Sequence, residues 1–206
     1  MDEILLKRIV NHQMLYGSFC GDLGVLNGKM GIVLFFFHYA RYTKNVLYED
    51  FAAELLEEIY EDVHLDMNIQ FLDGLCGIGW GITYLVEQQF VTGDIEELLQ
   101  DIDRKIMEFA PKRLTDYSLE TGLEGIAYYV MGRLKVSPVE TKLFSVDYVE
   151  ELEEIYLASW RSSNVYSSQR ILDRIMESDN NSEILSWKKG CLLYTSDAAD
   201  EARSVD

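Results

Sequence analysis

Cysteine and proline are scarce in this sequence. Its 206 residues include three cysteines, Cys20, Cys76 and Cys191, and two prolines, Pro111 and Pro138. Three scattered cysteines are too few for a disulfide framework, and no Cys-x-x-Cys pair suggests zinc or thioredoxin-like chemistry. So little cysteine is typical of the reducing cytoplasm, which is the compartment that we expect. Because both prolines fall between apolar segments, the helices can run unbroken.

Basic residues are also few. The chain has 18 lysines and arginines against 36 aspartates and glutamates, for a formal charge of −18. Such a charge repels phosphate backbones and offers no basic face to anionic lipid, so nucleic acid and membranes are not expected partners. No apolar run approaches the length of a membrane span, and the N-terminus lacks the order of a signal peptide. With 48% hydrophobic residues, the chain is expected to fold around a real core.

A glycine motif of the form Gly-x-x-Gly-Ile occurs three times. The copies begin at Gly28, Gly74 and Gly122, so their first glycines lie 46 and 48 residues apart. A nearly fixed period of this length marks a repeat architecture, in which one supersecondary unit is stacked several times. The residues singled out as a structural repeat motif are Gly28, Gly31, Gly74, Gly77, Gly79, Gly122 and Gly125.

Two kinds of segment alternate around these motifs. Runs that are apolar on every side follow the glycines, at residues 32–40, 78–86 and 126–131. Segments with an apolar stripe on one side lie between and around them, at residues 3–15, 48–64, 95–106 and 147–159, with one more around 165–175. Leu5 and Ile9 belong to the first stripe, and Tyr60 belongs to the second. The pattern predicts buried inner helices surrounded by outer ones, in either an open α-solenoid or a closed α/α toroid.

Capping side chains mark two helix starts. Asp94 with Glu97 predicts the start of one outer helix, and Thr121 with Glu124 fits a capping box before the third inner helix. A glycine inside a helix, such as Gly77, costs roughly 1 kcal/mol relative to alanine. Close approach of two backbones supplies a reason for it.

The three motif copies resemble the repeats of the lanthionine synthetase C-like proteins, the LanC-type cyclases. They read Gly28-Lys-Met-Gly-Ile, Gly74-Leu-Cys-Gly-Ile-Gly-Trp-Gly and Gly122-Leu-Glu-Gly-Ile-Ala-Tyr-Tyr, and the resemblance covers about residues 1–190. It implies an all-α fold, a double-layered α/α toroid that is incomplete here. In active members, it implies a zinc ion held by two cysteines and a histidine. The zinc activates a peptide cysteine, which adds to dehydroalanine or dehydrobutyrine and closes a thioether ring.

The zinc ligands of that family have no counterpart here. The family places them on a Cys and a Cys-His-Gly motif, whereas this chain has no Cys-His pair, and His12, His38, His64, Cys20 and Cys76 match neither motif. We therefore assign no catalytic, cofactor-binding or metal residue. Zinc is expected only if a missing C-terminal half carries the ligands. Cys76 is interpreted as a small buried hydrophobe and His38 as a hydrogen-bonded core histidine.

The last residues are unlike the rest. Residues 191–206, beginning Cys191-Leu-Leu-Tyr-Thr-Ser, resemble a translated transposase sequencing adapter of the kind found at the ends of metagenomic contigs. We interpret them as read-through, and residues 1–190 as the N-terminal part of the toroid domain.

Three functions remain open. The first is the N-terminal fragment of a thioether-forming cyclase, inactive by itself, with a peptide substrate or a modifying enzyme as partner. The second is a zinc-less peptide-binding or assembly module with the same toroid. The third is another α/α toroid enzyme, such as a glycosidase with paired carboxylates, for which Asp73 and Glu120 are candidates, although capping of helix ends also explains them. A downstream Cys and Cys-His pair would favour the first function.

Overall fold

The computed structural model describes residues 3–137 and 143–160. Within these ranges the chain is all-α, without a strand, as the sequence predicts. The seven helices are α1 (Glu3–Tyr16), α2 (Lys29–Thr43), α3 (Val46–Asp62), α4 (Leu75–Glu87), α5 (Ile95–Met107), α6 (Leu123–Val136) and α7 (Val146–Trp160). Short 3-10 turns occupy Gly17–Phe19 and Pro111–Arg113. The predicted helix at 165–175 and the predicted boundary at residue 190 lie outside the described residues.

Helices α2, α4 and α6 form an inner layer. Helix α4 contacts α2 on one side and α6 on the other. From Leu75 to Gly81 every residue of α4 is buried, because no side chain in this stretch is polar or charged. A helix that is apolar on all sides is stable only when neighbouring elements surround it.

Helices α3, α5 and α7 cover the inner ones. Helix α3 lies against α2, α5 against α4, and α7 against α6. Ala52, Leu55 and Ile59 form the buried side of α3. Tyr60, assigned to this stripe from the sequence, is instead 65% exposed. Leu5 of α1 is likewise exposed, by 40%, because the neighbouring Leu6 takes its place in the core.

The inner helices begin at their glycines. Gly28, Gly74 and Gly122 are the N-cap residues, and none of the three helices has a side-chain cap. The predicted capping box is therefore wrong, since Thr121 donates its hydroxyl hydrogen bond to Asp116 and caps no helix. Helix α5 begins as predicted, because the Asp94 side chain accepts hydrogen bonds from two backbone N–H groups of its first turn. In the part of the chain that the structure describes, no helix has the length and apolar character needed to cross a membrane.

Candidate functional site

Three loops lie side by side at the N-terminal ends of the inner helices. We call residues 22–28, 68–74 and 116–122 the first, second and third glycine loops. The N–H of Leu26 donates to the carbonyl oxygen of Leu72 at 3.2 Å, and the N–H of Leu72 donates to that of Glu120 at 2.9 Å. Leu26, Leu72 and Glu120 each precede the first glycine of their motif by two residues. The loops are therefore joined in register by main-chain bonds.

Each glycine loop is closed by the same turn. Asp22, Asn68 and Asp116 stand six residues before the first glycine, and each Oδ1 accepts from the N–H two residues on, at 2.7, 2.8 and 2.8 Å. Their carbonyl oxygens accept from the first residue of the inner helix, at 2.8, 2.9 and 3.0 Å. Asp and Asn favour this turn because their side chains bond their own backbone. These three residues were missed in the sequence, although an Asp or Asn at one fixed distance from each motif was visible there.

The glycines let the loop touch its own helix. A Cβ on the first glycine of each motif would lie 2.3 to 2.6 Å from the carbonyl oxygen six residues earlier, and one on the second glycine 2.0 to 2.5 Å from the corresponding oxygen. The first glycines have φ between −117° and −122°, a conformation open to any residue. Space, and not backbone conformation, therefore requires glycine at these positions.

The second glycines also interlock neighbouring repeats. A Cβ on Gly77 would lie 2.8 Å from the Val25 side chain of the first loop, and one on Gly125 would lie 2.5 Å from the Phe71 side chain of the second. Both apolar side chains are 1% exposed. The first and second loops therefore each supply a buried side chain to the second glycine of the next motif. Within α4, the absence of a side chain at Gly79 leaves room for the ring of Tyr129.

Acidic side chains at the loops take part in local hydrogen bonds. Asp116 accepts from the hydroxyl of Thr121 and from the N–H of Ser118, and these bonds lower the pKa of its carboxyl group. Asp73 accepts from the side-chain amide of Asn68 at 3.1 Å. Glu120 contributes its main-chain carbonyl to the row described above. The contacts found for these acids hold the loops together.

His38 joins the first two inner helices. Its Nε2 lies 2.9 Å from the hydroxyl of Tyr84, and its ring meets the Phe90 ring edge to face at 4.8 Å. Burial, together with the nearby Arg41 charge, lowers the pKa of His38 from 6.5 to about 4. The imidazole is therefore neutral near pH 7, which confirms its interpretation as a hydrogen-bonded core histidine.

The cysteines do not form a metal centre with their neighbours. Cys76 is fully buried, and burial raises the pKa of its thiol far above the ordinary value, so the thiol stays protonated. Zinc binds the thiolate. Among residues 3–137 and 143–160, no three His, Cys, Asp or Glu side chains converge where they could hold a metal ion. The described residues do not fit the zinc site that the family resemblance implies.

One buried ion pair, missed in the sequence, links α5 to α6. Arg133 is fully buried, and its Nε and Nη2 donate to both carboxylate oxygens of Asp103 at 2.7 to 3.2 Å. Tyr129 donates its hydroxyl to the same carboxylate at 2.5 Å. Burial and the Asp103 charge raise the pKa of Tyr129 well above its ordinary value. Glu96 lies 3.6 Å from Arg133 and accepts from Ser137 at 2.7 Å.

The loops, the histidine and the ion pair together form a scaffold that joins neighbouring helices. The family model described as lanthionine synthetase C-like protein matches residues 21–186. Searches of curated proteins and of solved structures found no match.

Proposed function

This chain belongs to the lanthionine synthetase C-like family, and from that premise we propose that its described residues form the peptide-binding wall of a cyclase involved in peptide modification. The all-α double layer is consistent with an incomplete helical toroid of that family. The observation that carries the proposal is the row of three glycine loops in register, which gathers the N-terminal ends of three inner helices at one place.

The reaction proposed for the family protein is an addition without redox change. The sulfur of a peptide cysteine gives up its proton and forms a bond to Cβ of a dehydroalanine or dehydrobutyrine. The electron pair of the double bond passes to Cα, which takes up a proton. The product is a thioether ring, and no group leaves. Residues 3–137 and 143–160 hold no ligand set for a metal ion, and burial keeps the thiol of Cys76 protonated. Their part in the proposal is therefore to bind and orient the peptide.

A binding assay combined with mass spectrometry tests this role. The full 206-residue chain is titrated into a fluorescent peptide that contains one cysteine and one dehydroalanine, and anisotropy reports binding. Alkylation then counts the free thiols, because a closed ring takes up no alkylating reagent. We expect binding with the peptide thiol unchanged. The same peptide with serine in place of dehydroalanine controls for recognition of the dehydro residue.

Two outcomes would contradict the proposal. Absence of binding would remove the peptide-binding role, and thiol consumption that depends on the chain would mean that its own residues supply the chemistry. Equal binding of the serine peptide would favour the second candidate, a zinc-less peptide-binding or assembly module. That candidate is kept because the only buried cysteine described is held as a protonated thiol.

A matched pair of variants locates the binding surface. Asp73→Asn and Glu120→Gln together remove two charges from the glycine loops, whereas Glu97→Gln and Asp101→Asn remove two from the solvent side of α5. We expect weaker peptide binding from the first pair only. Equal effects would place the peptide elsewhere and contradict the role proposed for the loops.

A further inference from the structure

The outward face of α3 carries exposed apolar side chains. Val46 and Tyr60 are 63% and 65% exposed, and Ala53, midway between them, is exposed as well. The three residues are seven apart, so they follow one line along the helix. Fourteen residues of helix extend about 21 Å. Within the part of the chain that the structure describes, helix α3 therefore has an exposed apolar line beside its buried one, although an outer helix needs only the latter.

A row of acidic side chains follows this line. Asp50, Glu54, Glu57 and Glu61 are exposed and spaced by four, three and four residues, which places them in one row. Like charges at these spacings destabilise a helix. The helix has seven acidic residues and no basic one. Glu58, which lies outside this row, pairs with Lys29 of α2 at 2.6 Å. No ion pair of the described residues includes any of the four acids of the row.

Another outer helix of the same chain is built differently. On the solvent side of α5, Arg104 pairs with Asp101 at 3.1 Å, and Lys105 pairs with Glu108 at 2.9 Å just beyond the helix. Alternating charges of this kind suit a surface that meets only water. The outward face of α3 instead has exposed apolar side chains and acidic side chains that repel one another, and α3 has no basic side chain to pair with them.

We propose that the outward face of α3 is a docking surface for a basic amphipathic helix of a partner protein or peptide. The partner's apolar side chains would lie along Val46, Ala53 and Tyr60, where the small Ala53 permits close approach between two larger residues. Its lysines or arginines would face the acidic row. Helices that recognise one another in this way combine a narrow apolar seam with flanking opposite charges. A second copy of this chain would bring acid against acid, and an anionic membrane would be repelled.

The test uses a basic amphipathic peptide as the probe. It is a helical peptide of about 20 residues, long enough to follow the apolar line, with leucine along one seam and lysine on both flanks, and it is titrated against the full 206-residue chain. A peptide with glutamate in place of lysine is the first control. We expect saturable binding of the lysine peptide, weakened by salt, and none of the glutamate peptide.

Variants locate the surface. Neutralising the row with Glu54→Gln, Glu57→Gln and Glu61→Gln should weaken binding about tenfold, since three exposed pairs at about 0.5 kcal/mol each give that factor. The matched control makes the same changes on α7, at Glu150, Glu153 and Glu154, and should leave affinity unchanged. Tyr60→Ser should also weaken binding without altering the charge. Circular dichroism checks that every variant is folded.

Several results would overturn the proposal. They are absence of binding by the lysine peptide, equal weakening by the α3 and α7 variants, or no effect of Tyr60→Ser. Equal competition by unstructured polylysine would also do so, because the attraction would then be general to cations. None of these results depends on dehydrated peptides, so the proposal stands or falls separately from the role of the glycine loops.

Discussion

His38 links acidity to the stability of the fold. Its pKa is lowered from 6.5 to about 4 in the folded protein, so folding favours the neutral imidazole. The contribution of His38 is complete above pH 6.5 and is lost as the pH falls towards and through 4. Between pH 7 and pH 4.5 the loss should be on the order of 2 kcal/mol. Urea unfolding at both pH values measures it.

The variant His38→Gln should remove this part of the pH dependence. A glutamine can still hydrogen bond the hydroxyl of Tyr84, and it does not titrate. His64→Gln is the matched control, because His64 is exposed, and its profile should follow that of the unchanged chain. If His38→Gln left the difference between pH 7 and pH 4.5 intact, the source of the acid sensitivity would lie in other groups.

Single residues were partly predictable from the sequence. The burial of Cys76 and the bonded state of His38 follow from apolar neighbours, and the structure agrees. Asp22 was missed because its role depends on a turn, which shows only when the three loops are compared. The capping box at Thr121 was wrong because its spacing also suits a loop, and in this loop Asp116 takes the hydroxyl.

The ion pair between α5 and α6 should respond differently to single and double changes. Asp103→Ala leaves the buried guanidinium of Arg133 without its bidentate partner, with only Glu96 at 3.6 Å as a counter-charge, and should cost about 3 kcal/mol in the free energy of unfolding. Replacing both residues, by Asp103→Leu and Arg133→Met, removes both charges and should cost much less. Chemical denaturation of the two variants gives the comparison.

The exposed pair on the same helix provides the control. Asp101→Asn, which removes the surface bond to Arg104, should change stability by less than about 1 kcal/mol. A loss as large as that of Asp103→Ala would mean that α5 is sensitive to any charge change. A double variant as unstable as the single one would mean that the shape of Arg133, and not its charge, matters.

The glycines at the inner helix starts should not tolerate a methyl group. A Cβ on Gly77 would lie 2.0 Å from the carbonyl oxygen of Phe71, which is backbone and cannot move away cheaply. Gly77→Ala should therefore cost more than about 3 kcal/mol. Gly21→Ala is the control, because nothing lies within 4 Å of a Cβ there. Thermal melts of the two variants should separate clearly, and similar melts would contradict the close contact.

Helices were easier to predict than their contacts. Apolar runs and stripes indicated every helix from α1 to α7, since burial leaves its mark in each segment separately. Helix α4 begins three residues earlier than expected, because the motif itself forms the first turn. The bond between Asp103 and Arg133 joins residues 30 apart on two helices. A single sequence does not contain the packing that brings them together.

The three repeats should unfold as one unit. Cys76 is the second residue of α4 and is fully buried in the hydrophobic core. In a chain with Cys20→Ser and Cys191→Ser, its thiol should react with a disulfide reagent only on global unfolding. The midpoint of labelling in urea should match the midpoint of the helical signal in circular dichroism. Labelling at much lower urea would mean that the second repeat opens independently of the others.

The row of glycine loops has a consequence for how such a chain can grow. The first glycines are 46 and 48 residues apart, yet the main-chain bond from one loop to the next is the same. The two additional residues are therefore accommodated between the motifs, away from the row. The second repeat carries both halves of such a joint: Gly77 receives the Val25 side chain of the first loop, and Phe71 fills the space beside Gly125. A duplicated segment of this design would dock onto its parent without new complementary mutations, and insertions would accumulate in the outer layer.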